Sequence, residues 1–402
     1  MSVLSPPVAR RVRELTPSQT LAMTHRAMEL RRQGKPIVSL SAGEPDFDTP
    51  DHIREAAIEA IRSGFTHYTP NPGIPELREA IARKLLRDNG LQYEPRQILC
   101  SSGAKQSLVL AVLALVNPGE EVLIPTPYWT TYPEMVKLAG GVPRYLKTGP
   151  ETRFKITPEQ LEAAITPRTR LLMLCSPSNP SGMIYTEAEL HDLVEVLRRH
   201  EQVWVLSDEI YEYLAYELPH MSIASLPGMQ ERTVVVNGFS KAYAMTGWRL
   251  GYAAGPLPVI EAMENLQGQM TSAPNSIAQK AGVAALEGPR EPIERMREAF
   301  RRRRDFLHAA ISRIPGLDCP KPEGAFYLFP NISAYLGRRT PDGHILQTAE
   351  ELCLYLLETQ LVALVPGEAF GDPTCVRISY AASEAELQEA VHRIEAGLRA
   401  LR

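Results

Sequence analysis

Lysine is scarce in this chain, with nine residues against 34 arginines. Each lysine that falls inside a patterned segment therefore carries weight, Lys105 and Lys241 above all. Cysteine is sparse too: five, an odd number with no Cys-x-x-Cys spacing, which argues against a disulfide framework. Charge of either sign is not in excess. A net charge of −4 and a pI near 6.2 give no reason to expect nucleic acid or an anionic membrane as partner. The longest apolar run, around Leu108 to Val116, falls far short of a bilayer span. The segment from Met1 to Pro7 lacks a basic stretch followed by an apolar one, so no signal peptide is expected. These absences together predict a cytoplasmic protein.

What is present is ordinary in bulk: 44% hydrophobic and 22% charged residues, the balance of a soluble globular protein. A length of 402 residues exceeds one usual hydrophobic core and predicts two domains. From Asp51 to Val236, helical patterns alternate with short apolar runs, which predicts an α/β fold with a mostly parallel sheet. The expected strands are Ile98–Ser101, Val122–Pro125, Leu171–Cys175, Val203–Ser207, Val234–Asn237 and Leu250–Ala254. Helices are expected over Ile74–Asp88 and Lys105–Val116. The later part reads differently. A charged helix over Glu294–Arg313 precedes short strands at Ala325–Leu328 and Val376–Ser379, and a helix over Ser383–Leu398 closes the chain. This predicts a smaller α+β domain. Arg301 to Arg304 are expected on a solvated helix face.

Three chemistry-bearing segments follow expected strands. Lys241 stands just past Thr233–Asn237, Asp208 and Tyr211 follow Val203–Ser207, and Asn179 with Gly182 follows Leu171–Cys175. Taken singly each has a plain reading: a solvated lysine, a helix N-cap, a turn. Together, at the carboxyl ends of strands in one sheet, they stand where α/β proteins bind ligands. A lysine desolvated there loses its proton readily and attacks carbonyls, forming a Schiff base.

Asn179-Pro-x-Gly182, Asp208-x-x-Tyr211 and Ser240-Lys241 with Arg249 resemble the class I aminotransferases, pyridoxal-phosphate enzymes of fold type I. Within them the chain is similar to the bacterial aspartate aminotransferase subgroup. The resemblance runs in family order through Leu15–Ser18, Ser41–Phe47, Tyr68–Pro70 and Pro127–Trp129. It continues at Gly324–Tyr327, Val365–Gly367 and Val376–Tyr380. It implies an N-terminal arm over 1–14, a small domain from 15–48 and 295–402, and a large cofactor-binding domain over 49–294.

The resemblance also implies roles. Lys241 anchors pyridoxal 5′-phosphate and moves the proton at Cα. Asp208 keeps the pyridine nitrogen protonated by a charge-assisted hydrogen bond. Asn179 and Tyr211 bond the 3′-oxygen, and Trp129 stacks on the ring. Gly103, Ala104 and Lys105 open a helix whose free N–H groups suit the phosphate, with Ser240 beside them and Arg249 as a bidentate partner. Tyr68 reaches the phosphate from the other subunit of a homodimer. Arg377 grips the substrate α-carboxylate, where Asn179 and Trp129 also line the pocket and Gly43 admits a close backbone approach. Lys105 reads a distal carboxylate, with Ser18 and Thr20 as hydroxyl partners. No metal enters this scheme.

The implied reaction moves an amino group from aspartate to 2-oxoglutarate in a ping-pong cycle. Aromatic, alanine-type or prephenate specificity, or a β-lyase activity, are the alternatives within the fold. A basic residue common in prephenate-using members is replaced here by Thr16. A non-catalytic regulator would require an added DNA-binding domain, and no room for one is expected ahead of Leu15.

Overall fold

The computed structural model describes residues 8–16 and 19–402, without the side chains of 19–22 and 24. A short strand β1 (Val38–Ser39) precedes seven strands of one sheet. These are β2 (Ile98–Ser101), β3 (Glu121–Pro125), β4 (Val142–Leu146), β5 (Thr169–Cys175), β6 (Trp204–Asp208), β7 (Thr233–Gly238) and β8 (Gly251–Ala254). Their order across the sheet is β2-β8-β7-β6-β5-β3-β4. Every pairing is parallel except those of β8, which runs against both β2 and β7.

All six expected strands form. Their continuous apolar runs match burial on both faces, since helices cover both sides of such a sheet. Strand β4 has no such run. It lies at the sheet edge with most of its residues exposed, and Pro143 and Arg144 interrupt its apolar residues.

The later strands are β9 (Tyr327–Leu328), β10 (Val362–Ala363), β11 (Val365–Pro366) and β12 (Val376–Ser379). An antiparallel sheet orders them β11-β12-β9, while β1 pairs with β10 in parallel. One apolar core joins residues 23–40 with residues 296–401, and three others line the seven-stranded sheet. Ile210, Tyr211 and Leu214, just past β6, belong to the first core. The residues after β6 therefore sit where the two parts meet.

The arginine run departs from expectation. Helix Glu291–Ile311 turns Arg304 fully inward. There it bonds Glu217 at 2.6 Å and the carbonyl of Pro322, and covers the Tyr216 ring at 4.6 Å. Arg303 grips Asp46 with two bonds of 2.7 and 2.9 Å. A four-residue run necessarily spans more than one face of a helix, so part of it met the core. The guanidinium planes are satisfied there by carboxylates and aromatic faces. Among the described residues no helix is long and apolar enough to cross a membrane.

Candidate active site

The functional side chains gather at the carboxyl ends of the parallel strands. Asp208 is the last residue of β6, opposite Cys175 at the end of β5. Asn179 follows β5, Lys241 follows β7, and Gly103 follows β2. A cavity of 470 Å³ opens among them, lined by Gly43, Ala104, Lys105, Trp129, Asn179, Asp208, Tyr211, Ser240, Lys241, Arg249 and Arg377. That volume is the size of a small-ligand site. Gly103 is not among the lining residues and packs against Arg249, which is. Tyr68 does not join its own chain's cavity and is 97% exposed. Ser18 lies outside the described residues, as does the side chain of Thr20.

Two glycines let the walls close. Gly103 adopts φ +89°, and a Cβ there would stand 2.3 Å from an Arg249 guanidinium nitrogen. Gly251 on β8 has its backbone against Ala104, where a Cβ would lie 2.2 Å from the Ala104 nitrogen. The helix Ala104–Leu115 therefore starts hard against the sheet, with Arg249 drawn across its first turn. Arg249 donates to the carbonyls of Thr246 and Ser102 at 3.0 and 3.4 Å.

The electrostatics are lopsided. Among the described residues, Lys105, Lys241, Arg249 and Arg377 have no ion-pair partner, although all four line one cavity. Arg377 is buried on β12. It donates to Asn179 Oδ1 at 3.0 Å and to the Ser41 carbonyl at 2.9 Å, between the rings of Tyr327 and Phe370. Its Nε has no partner, and an unpaired buried donor is costly unless a ligand meets it. Lys241 donates to the Gly43 carbonyl. Burial, with Arg377 adding, lowers its amine to about 8. Lys105 lies over the Trp129 ring at 4.8 Å.

Asp208 is the buried counter-charge. Its carboxylate accepts the Tyr132 hydroxyl at 2.6 Å and the Ile210 amide at 3.3 Å. Burial raises it to about 6, against the pull of Tyr132, Ile210 and Lys241. Behind it, Glu209 accepts hydroxyl bonds from Ser207 and Ser222 and faces His220 at 3.1 Å. The hydroxyls of Tyr211 and Tyr327 meet at 2.8 Å, and a Cβ on Gly43 would sit 3.3 Å from the second.

Tyr132 and Cys175, Tyr327 and Phe370, and the Ser41 carbonyl all border this site without having been picked out as functional residues. Only Tyr327 and Ser41 lie inside motifs that carry the resemblance. The others meet the site through contacts between distant segments.

The family model for aminotransferases of class I and II matches residues 35–394. The chain belongs to that family. This aminotransferase is 52% identical to the aspartate aminotransferase of Geobacillus stearothermophilus, over 96% of this chain and 98% of that one. It is also 52% identical to a bifunctional aspartate aminotransferase and glutamate/aspartate-prephenate aminotransferase of Petunia hybrida, over 96% and 82%. The crystal structure of the Rhizobium meliloti aspartate aminotransferase superposes with a TM-score of 0.96 at 48% identity, covering 99% of this chain and all of that one. The fold is that of fold type I.

The cofactor of these enzymes is pyridoxal 5′-phosphate. The cavity suits it chemically: an amine of lowered basicity for the carbonyl, a buried carboxylate for the ring nitrogen, and cations that have no ion-pair partner among the described residues for the phosphate.

Proposed function

We propose that this aminotransferase moves the amino group of aspartate to 2-oxoglutarate in two half-reactions. The observation that carries this reading is a pair of cations, Lys105 and Arg377, that have no carboxylate partner among the described residues and share one cavity with Lys241. Two separated cations suit a dicarboxylate. In this reading Arg377 holds the α-carboxylate, its spare Nε completing the fork. Lys105 holds the distal carboxylate.

The cofactor roles follow the same groups. Lys241 would anchor pyridoxal phosphate, Asp208 would pair with its ring nitrogen, Asn179 and Tyr211 would bond its 3′-oxygen, and Trp129 would stack on the ring. Gly103, Ala104, Ser240 and Arg249 would hold its phosphate. When bound, the cofactor supplies an electron sink for the pair released as the Cα proton leaves. Once the substrate amine has displaced Lys241 from the cofactor, its freed amine would take that proton; burial, which lowers it to about 8, leaves it partly neutral near pH 7. Arg377, fixed by Asn179 and Ser41, sets the substrate orientation on which that transfer depends.

We further propose that the chain divides into a small domain of 15–48 and 295–402 and a large domain over 49–294, the expected arm of 1–14 lying partly outside the described residues. The separate apolar cores support this partition. Substrate bridging Arg377 and Lys241 draws the two together and excludes water. The enzyme works as a cytoplasmic homodimer, in which the exposed Tyr68 of one copy reaches the phosphate held by the other.

A panel of amino donors with 2-oxoglutarate tests the specificity. Aspartate should give the highest kcat/KM. Lys105→Ala should lower that value by about 1.5–3 kcal/mol, the loss of one charged hydrogen bond. Rates with alanine and phenylalanine should barely change. Equal losses for all donors, with weaker cofactor binding, would assign Lys105 to the phosphate instead.

Cofactor uptake tests the Lys241 assignment separately. Only the neutral amine attacks a carbonyl, so uptake by the cofactor-free chain should accelerate about tenfold per pH unit below the lysine's pKa and level off above about 8. A flat profile from pH 6 to 9 would exclude it.

A further inference from the structure

Asp208 is held by an unusual partner for so buried a carboxylate. Among the described residues no lysine or arginine pairs with it. Its two oxygens are met by the Ile210 amide at 3.3 Å and the Tyr132 hydroxyl at 2.6 Å. The second distance is that of a charge-assisted O–H···O⁻ bond. Tyr132 is itself 2% exposed and opens the helix Tyr132–Leu138. Its amide donates to the Trp129 carbonyl at 3.0 Å, and its ring meets the Trp129 ring edge-on at 5.6 Å. One turn of chain thus carries both the indole of the cavity wall and the hydroxyl on Asp208.

Resting on the cofactor placement above, we infer that Tyr132 is a positioning residue. Its hydroxyl orients the Asp208 carboxylate toward the ring nitrogen and keeps the proton of that pair on nitrogen. The geometry supplies the reason. A proton shared between a buried carboxylate and a pyridine nitrogen goes to whichever is more basic there. Burial and Glu209 make Asp208 more basic, while Tyr132, the Ile210 amide and Lys241 oppose them. The Cys175 thiol at the end of β5 stands beside Tyr132 and adds no cation. Burial raises the Tyr132 phenol well above its ordinary range, so it remains a donor at working pH. Deleting the hydroxyl leaves a ring edge against the carboxylate and moves the balance toward a neutral pair.

The test uses holoenzyme loaded with pyridoxal phosphate labelled with ¹⁵N in the ring. In the unaltered enzyme the resonance should lie at the protonated end of the pyridine range. Tyr132→Phe should move it toward the unprotonated end, part of the way to its position in Asp208→Asn. The same variant should lower kcat by about tenfold, with KM for aspartate within about twofold. Replacing Tyr132 by 3,5-difluorotyrosine keeps the shape and strengthens the donor, so the resonance should stay at the protonated end or move further toward it. If Tyr132→Phe fails to fold, that analogue decides: movement toward the unprotonated end overturns the inference. An unmoved resonance in a folded Tyr132→Phe enzyme also overturns it, whatever the melting temperature does. If Asp208→Asn leaves the resonance unmoved as well, the placement of the cofactor falls with it.

Discussion

Replacing Lys241 with alanine should abolish amino transfer, with turnover falling by more than about 10⁴-fold. That figure is the upper range for one general acid–base group, and here the covalent anchor is lost too. The structure adds a reason why no neighbour substitutes. Lys241 is bonded to the Gly43 carbonyl and flanked by the Tyr211 and Phe326 rings at 5.7 and 5.8 Å. The other cations of the cavity are held elsewhere: Arg377 by Asn179 and Ser41, Arg249 by Thr246 and Ser102. Both are guanidiniums, which do not deprotonate and so cannot act as the base. Lys105 lies over Trp129. The measurements are single-turnover rates, cofactor retention after dialysis, and rescue by added small amines. Substantial turnover without added amine would refute the assignment.

The same contacts show what the amino-acid sequence made legible. Strands β2, β3 and β5 to β8 announced themselves because a sheet covered on both faces selects unbroken apolar runs. The residues at or just past their ends, Asn179, Asp208 and Lys241, could then be placed on one edge without any knowledge of contacts. Edge strand β4 gives no such signal because Pro143 and Arg144 interrupt its apolar residues. Arg304 departs from the expected solvated face for a related reason. A charge run looks solvated until Glu217 and Tyr216, some ninety residues earlier, are seen to receive it. Tyr132 was invisible in the same way, since its partner lies 76 positions along the chain. Local periodicity reports what faces a core. It does not report which polar atom meets which across one, and that second kind of fact fixes the basicity of Asp208.

Asp208→Asn brings the argument to a single atom. Asparagine matches aspartate in shape, and the hydrogen bonds can adjust: its carbonyl accepts the Ile210 amide while its amide donates to Tyr132. The fold should therefore survive. In the cofactor-free chain it should even gain. Burial raises the Asp208 carboxyl to about 6, above its unfolded value, so ionising it costs stability progressively from about pH 4 and fully above about pH 6. Asparagine removes that cost, and the melting temperature at pH 8 should equal or exceed that of the unaltered chain. Catalysis should move the other way. A neutral amide cannot hold a proton on the ring nitrogen, and the electron sink weakens where charge develops. The expected loss is about 3–4 kcal/mol of transition-state stabilisation, or roughly 10²–10³ in the rate of Cα proton removal, with cofactor still bound. Hydrogen exchange at Cα of aspartate in single-turnover mixtures reads that step directly. A variant that is stable, loaded with cofactor and slow at this step alone would establish Asp208 as the ring-nitrogen partner. Near-normal exchange would place that partner elsewhere in the cavity.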